Sequence, residues 1–126
     1  SVTYGSGIGN YMGNPGNSGH RSAPDVYVDN GELEAIDTQA FGISLNHAWS
    51  PSWFSSVGFS RLEQDLPEGT IYEGHFDTVE YTFANVIWDV TDRLMVGMEY
   101  QYADVQTQAG DAVDASRIQA SAQFQF

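Results

Sequence analysis

Serine, histidine and carboxylate side chains all occur in this chain, and together they are the raw material of nucleophilic hydrolysis. No motif places them near one another, so a hydrolase is not expected. His20, His47 and His75 are scattered without the spacing of a metal site, and His47 reads as an ordinary strand residue. Asp25, Asp29, Glu32, Glu34 and Asp37 cluster oxygen ligands of the kind that hold divalent cations. EF-hand spacing is absent, however, and a solvated acidic loop is the plainer reading. Gly5-Ser6-Gly7-Ile8-Gly9 has the glycines of a phosphate-binding turn but no helix pattern after it. It fits a strand that needs small side chains near another backbone. With no cysteine there is no thiolate metal site. The expectation is no enzyme, no cofactor and no metal centre.

What remains is a set of polar side chains at every second position. Glu99 and Gln101 lie in one segment, and Arg117, Gln119, Ser121 and Gln123 in the next. In the last segment Ile118, Ala120, Ala122, Phe124 and Phe126 take the alternate places. Successive side chains of a strand point to opposite faces, so this strand is apolar on one side and wet on the other. It ends in an aromatic residue at the C-terminus, a feature that resembles the terminal signal read by the assembly machinery of outer-membrane barrels.

The elements that carry these residues read as six alternating segments, at about 1–12, 36–49, 52–62, 77–89, 93–105 and 114–126. Leu94, Val96, Met98, Tyr100 and Tyr102 share one face of the fifth. Phe41, Ile43, Leu45 and Trp49 share one face of the second, and Trp53, Val57 and Phe59 one face of the third. The fourth is ambiguous: Thr82, Ala84, Val86 and Trp88 form one candidate apolar face, and Val79, Tyr81, Phe83 and Ile87 the other. A bulge would reconcile them. No stretch has helical periodicity, and no apolar run approaches the ~20 residues of a membrane helix.

The connections alternate in length. Turns at about 50–52 and 90–92 are short, and loops at about 13–35, 63–76 and 106–113 are long. Outer-membrane barrels have short periplasmic turns and long extracellular loops. On that scheme the C-terminus is periplasmic. Trp49, Trp53 and Trp88 lie near the short turns, with Phe124 at the same level, and Tyr100 and Tyr102 lie toward the other end. These six fit the two aromatic girdles of a membrane interface.

Strands of 10–13 residues exceed the usual ~5–6 and meet the ~9–11 needed to span a bilayer. The polar faces carry Gln, Ser, Asn, Thr and Gly, where a soluble sheet would carry charge. The expected fold is therefore all-β, an antiparallel transmembrane β-barrel of the bacterial outer membrane. Residues 1–126 form a C-terminal segment of a single barrel domain, with lipid and lipopolysaccharide outside. Six strands leave two open edges, which lipid does not tolerate. Either further strands precede Ser1, the favoured expectation, or several copies complete one barrel. In a barrel, Glu99, Gln101, Arg117, Gln119, Ser121 and Gln123 line the lumen and bias permeation. For Glu99 and Arg117 the plainer alternative is an ion pair bracing the wall.

Composition narrows the partners. Net charge is −13, with four arginines and no lysine, so a nucleic-acid partner is not expected.

The stretch A-N-V-I-W-D-V-T-D-R-L-M-V-G-M-E-Y-Q-Y, from Ala84 to Tyr102, followed by D-A-S-R-I-Q-A-S-A-Q-F-Q-F, resembles the end of DcaP-like trimeric porins of Gram-negative bacteria. The motif N-x-x-W, short turn, L-x-x-G-x-E-Y-x-Y carries most of the likeness. The region Asn46 to Phe59 and the early Y-G-S-G-I-G agree more loosely. The resemblance implies a sixteen-stranded barrel, three per trimer, assembled by the barrel-assembly machinery and passing small hydrophilic solutes, with organic acids among them. An anion pore needs basic lining residues, and this segment offers Arg117, with Arg61 and Arg93 as further candidates. The alternatives are a non-conducting structural or adhesive barrel and a secreted β-sandwich binding module.

Overall fold

The computed structural model describes residues 1–8, 25–29, 31–65 and 75–126. Every regular element among them is a strand: β1 (Val2–Ser6), β2 (Val26–Asp29), β3 (Glu32–Ala35), β4 (Asp37–Ser50), β5 (Trp53–Asp65), β6 (Phe76–Thr91), β7 (Leu94–Thr107) and β8 (Ala112–Phe124). Six of them form one antiparallel sheet in the order β1-β4-β5-β6-β7-β8. The protein is thus all-β and antiparallel. Among the described residues the sheet is open: β1 and β8 are its edges, and no closed barrel is seen.

β4 to β8 contain 13 to 16 residues each. Their length follows from uninterrupted period-two patterning without proline, and each is tied to the next by a tight turn or a longer connection. At one end the turns are short. The Ser50 hydroxyl accepts from the backbone N–H of Ser52 at 3.2 Å and of Trp53 at 3.1 Å. The Thr91 hydroxyl accepts in the same way from Arg93 at 3.3 Å and Leu94 at 3.1 Å. A hydroxyl at the last strand position satisfies the donors that a two-residue reversal leaves over. The second turn is thus Asp92-Arg93, slightly later than the expected 90–92.

Three expectations about the other end need correction. The expected loop 13–35 contains the hairpin β2–β3, a separate two-stranded sheet closed at Gly31, whose φ of 88° suits a residue without a Cβ. The expected loop 63–76 is narrower, since β5 runs to Asp65 and β6 starts at Phe76. The expected long loop 106–113 is a four-residue turn between Thr107 and Ala112. There Gly110 takes φ 84°, and Thr107 accepts from Gly110 at 2.8 Å and donates to Asp111 at 2.9 Å. Asp104, Val105 and Gln106 pair directly with Asp114, Val113 and Ala112. The ladder therefore continues past the end of the apolar stripe. Strict alternation of long and short connections fails at this last one.

The first segment also ends early. β1 stops at Ser6 because Gly7 adopts φ 68° and donates to the Ile36 carbonyl at 2.9 Å. Residues 9–12 of the expected first strand lie outside the described residues.

Register resolves the fourth strand. Thr82, Ala84, Val86 and Trp88 oppose Tyr102, Tyr100, Met98 and Val96. Opposed residues share a face, so this set belongs with the apolar stripe of β7. No bulge interrupts Thr78 to Asp89; the irregularities sit at the two ends, between Phe76 and Thr78 and between Asp89 and Thr91. The side chains with the lowest exposure, among them Ile36, Leu62, Val79, Thr38 and Gln64, gather at the loop end.

Candidate functional site

The registers place every side chain of the large sheet on one of two faces. On the first, Leu45, Val57, Ala84, Tyr100 and Ile118 form one row across five strands, and Ile43, Phe59, Thr82, Tyr102 and Ser116 the next. Toward the short turns follow His47, Ser55, Val86, Met98 and Ala120, then Trp53, Trp88, Val96 and Ala122. The large members stand open: Ile43 is 71% exposed, Leu45 66% and Ile118 72%. Five strands at ~4.8 Å spacing and nine residues at ~3.3 Å each give roughly 700 Å² in projection. That exceeds the largest apolar patch on typical soluble monomers.

Both borders of this apolar face are sharp. At the turn end the rings of Trp53 and Trp88 stack 5.0 Å apart at 15°. Trp49 donates from Nε1 to the Ser55 hydroxyl at 2.9 Å, and His47 meets its ring edge-on at 4.3 Å. Phe124 opposes Leu94 on the same face. Phe126 lies beyond β8 with its ring edge against Phe124 at 5.4 Å, and the N–H of Gln125 is held by the Arg93 carbonyl at 2.9 Å. At the loop end Tyr102 is followed by a row of charge, Arg61, Glu80, Asp104 and Asp114 being mutual cross-strand neighbours, while Tyr100, expected at this border, lies one row further in, opposite Ile118. Arg61 bridges Glu63 and Glu80, and Gln39 donates to Glu63 at 2.6 Å. Asp65 and Glu63, expected in a loop, are strand residues of this border. From Trp53 to Arg61 is nine residues, which matches the ~9–11 of a tilted spanning strand.

The second face is different in kind. Ser44, Asn46, Ser56, Ser60, Asn85, Glu99, Gln101, Arg117, Gln119, Ser121 and Gln123 lie on it, among glycine and alanine, together with the apolar Phe54, Leu62, Val79, Tyr81, Phe83 and Ile87. All six side chains expected to line a lumen are therefore on one face. Glu99 opposes Gln119 and Gln101 opposes Arg117. Glu99 accepts from Asn85 Nδ2 at 3.2 Å and from Gln101, while Arg117 donates to Gln119. The two charges sit diagonally and each engages amides, not the other, as the alternative of an ion pair bracing the wall would require. Arg61 is corrected as a lining candidate: it lies on the apolar face, and Arg93 lies in the turn. Arg117 alone of these three is on the polar face.

Sequence reasoning missed two features. Asn85 joins β5 to β7, accepting from the Ser56 N–H at 3.0 Å while donating to Glu99. Its position on the parity of Tyr81 and Phe83 was the available signal. The second is an aromatic shelf on the polar face. The Phe83 ring covers Gly58, where an added Cβ would come within 2.7 Å of Cζ, and Tyr81 lies beside it at 6.2 Å.

Of the acidic residues considered as cation ligands, Glu32 and Glu34 lie on β3, Asp37 on β4 and Asp25 beside β2. Asp37 accepts from Ser6 and Tyr4. Among the described residues no three His, Asp or Glu side chains converge to hold a metal ion. His20 lies outside the described residues.

Comparison with protein-family models, with curated proteins and with solved structures returns no match for this chain.

Proposed function

We propose that the six-stranded sheet is a section of the wall of an outer-membrane diffusion channel. Its apolar face meets lipid and its amide-rich face meets a water-filled lumen. The carrying observation is the apolar face itself: a continuous band, nine residues tall on each central strand, open to the surroundings and bordered by tryptophans on one side and by Tyr102 and then charge on the other. A soluble protein buries such a face; a bilayer supplies its partner. The polar face supports the channel half of the reading, since amides, hydroxyls and a balanced pair of charges keep water without binding it to one ion. Small solutes then diffuse through, selected by width and lining. The terminal Phe126, outside the ladder and fully exposed, suits an assembly signal better than a packing role. The resemblance to trimeric porins gives the same placement: outer membrane, periplasmic C-terminus, homotrimer.

The test is reconstitution of the full native chain, extracted from outer membranes in detergent, into planar bilayers and into vesicles with brominated lipid tails. Stepwise conductance with strong quenching of tryptophan fluorescence is the expected result. Solubility without detergent and unquenched tryptophans would overturn the reading in favour of a soluble sheet. Quenching without conductance would favour a non-conducting structural barrel.

A further inference from the structure

Resting on the channel reading, we propose that the polar face carries a recognition site for an uncharged, hydroxylated ring solute of the pyranose type, and not for an organic anion. Three observations converge on it.

The first is the aromatic shelf. Phe83 is laid over Gly58, which only a residue without a side chain permits, and Tyr81 continues the surface at an interplanar angle of 33°. Neither ring is fully buried. In the rows of Phe83 and Tyr81 the neighbours are amide, hydroxyl, charged and small side chains, with apolar Phe54 and Ile87 toward the turns and Leu62 and Val79 toward the loops, and rings left bare among polar neighbours are costly. A sugar ring has one face of C–H groups that covers such a shelf while its hydroxyls stay wet.

The second is what stands next to the shelf. Phe83, Gln101 and Arg117 are consecutive cross-strand partners, and Asn85, Glu99 and Gln119 form the adjoining row. Strands are spaced ~4.8 Å apart, so these planar side chains begin within one sugar ring of the aromatic surface. Amide and carboxylate groups offer paired donors and acceptors, which match vicinal hydroxyls that both give and take hydrogen bonds.

The third is charge. Both Glu99 oxygens are engaged, one by Asn85 and one by Gln101, and Arg117 is engaged by Gln119. Glu99 and Arg117 lie one register step apart, so an anion drawn to the guanidinium also meets the carboxylate. Arg61 points to the opposite face. The rows beside the shelf therefore offer polarity with the charges of Glu99 and Arg117 balanced.

The experiment is single-channel recording of the full native chain with glucose, maltose or succinate added at equal concentration. Sugars should interrupt the current in a concentration-dependent way, and succinate should not. Phe83→Leu, which keeps apolar bulk but loses the ring, should weaken the sugar block roughly 3- to 10-fold, the range expected for one stacking contact. Glu99→Gln should lower the preference for cations over anions. Normal conductance without sugar block, or a block unchanged in Phe83→Leu, overturns this inference and leaves the channel reading standing. So does a succinate block that disappears in Arg117→Gln. Absence of any conductance overturns the channel reading itself, and this inference with it.

Discussion

Ile118 and Gln119 are consecutive residues of β8, and on the proposed placement they sit in two different solvents. Ile118 lies on the apolar face, four residues from Asp114 at the charged border and six from Phe124 at the aromatic one. At ~3.3 Å per residue and a tilt of ~40°, it lies about 10 Å below the charged border of a band about 25 Å tall, close to the bilayer midplane. An arginine there costs ~2–4 kcal/mol. Because Ile118 is 72% exposed, most of its side chain is in lipid, and losing that transfer adds about 1–2 kcal/mol. Ile118→Arg should therefore destabilise the assembled protein by about 3–6 kcal/mol. Gln119→Arg places the same group on the opposite face, opposite Glu99, and should change stability by less than ~1 kcal/mol. The assay is urea unfolding of each variant from lipid vesicles, followed by tryptophan fluorescence. A soluble sheet predicts small effects at both positions, since replacing an exposed surface residue is usually worth no more than ~0.5 kcal/mol. Equal effects at the two positions, or a loss below about 1 kcal/mol at Ile118, would refute the assignment of the apolar face to lipid.

Gly58→Ala should displace the Phe83 ring and destabilise by about 1–2 kcal/mol, and adding Phe83→Leu should recover most of the loss, measured by the same unfolding assay. Phe126→Ala should lower the amount of protein inserted in the outer membrane of cells while leaving the stability of refolded material within ~1 kcal/mol, because the ring touches Phe124 outside the ladder; normal yield in cells would count against a signal role. Asp77 lies on the loop side of the charged border, and burial, then the nearby Glu63 and Asp65, push its carboxyl above the usual carboxylate range. Its folded state holds a proton more readily than the unfolded chain does. The stability it withholds should return as pH falls through that raised value and level off below the ordinary carboxylate range. Asp77→Asn should be more stable than the parent at neutral pH and lose that pH dependence; a steeper dependence in the variant would disprove the assignment.

The strands were legible because period-two patterning is a local property of sequence. Leu94 to Tyr102 and Ile118 to Phe124 announce both faces without reference to any neighbour, and Glu99, Gln101, Arg117, Gln119, Ser121 and Gln123 share one face while Trp53, Trp88, Tyr100, Tyr102 and Phe124 share the other. Strand ends were less legible. The ladder of β7 and β8 continues through Asp104, Gln106, Ala112 and Asp114, because backbone pairing does not stop where the apolar stripe stops. The hairpin β2–β3 hid in a stretch rich in turn residues, since four-residue strands carry too few alternations to stand out. β6 was ambiguous for a different reason. Phe83 and Tyr81 are as apolar as the residues of the other parity, and their place on the polar face depends on the missing side chain of Gly58, a relation across strands.

The open edges carry the last consequence. Among the described residues β8 is a 13-residue strand paired on one side only. Alternate residues of an edge strand direct their backbone N–H and C=O outward, so about six residues present about twelve unpaired groups. In lipid each costs several kcal/mol, a sum on the order of 30 kcal/mol or more. Net stabilities of folded domains are ~5–15 kcal/mol, so no favourable band of apolar side chains offsets such an edge. On β4, residues beyond the pairing with β1 expose a second edge through Leu45 and His47, at the same depth. If the apolar face meets lipid, both edges must pair with further strands. Edge pairing and lipid contact therefore stand or fall together: a sheet that stays stable with β8 bare cannot be in the membrane, and a sheet in the membrane cannot have β8 bare.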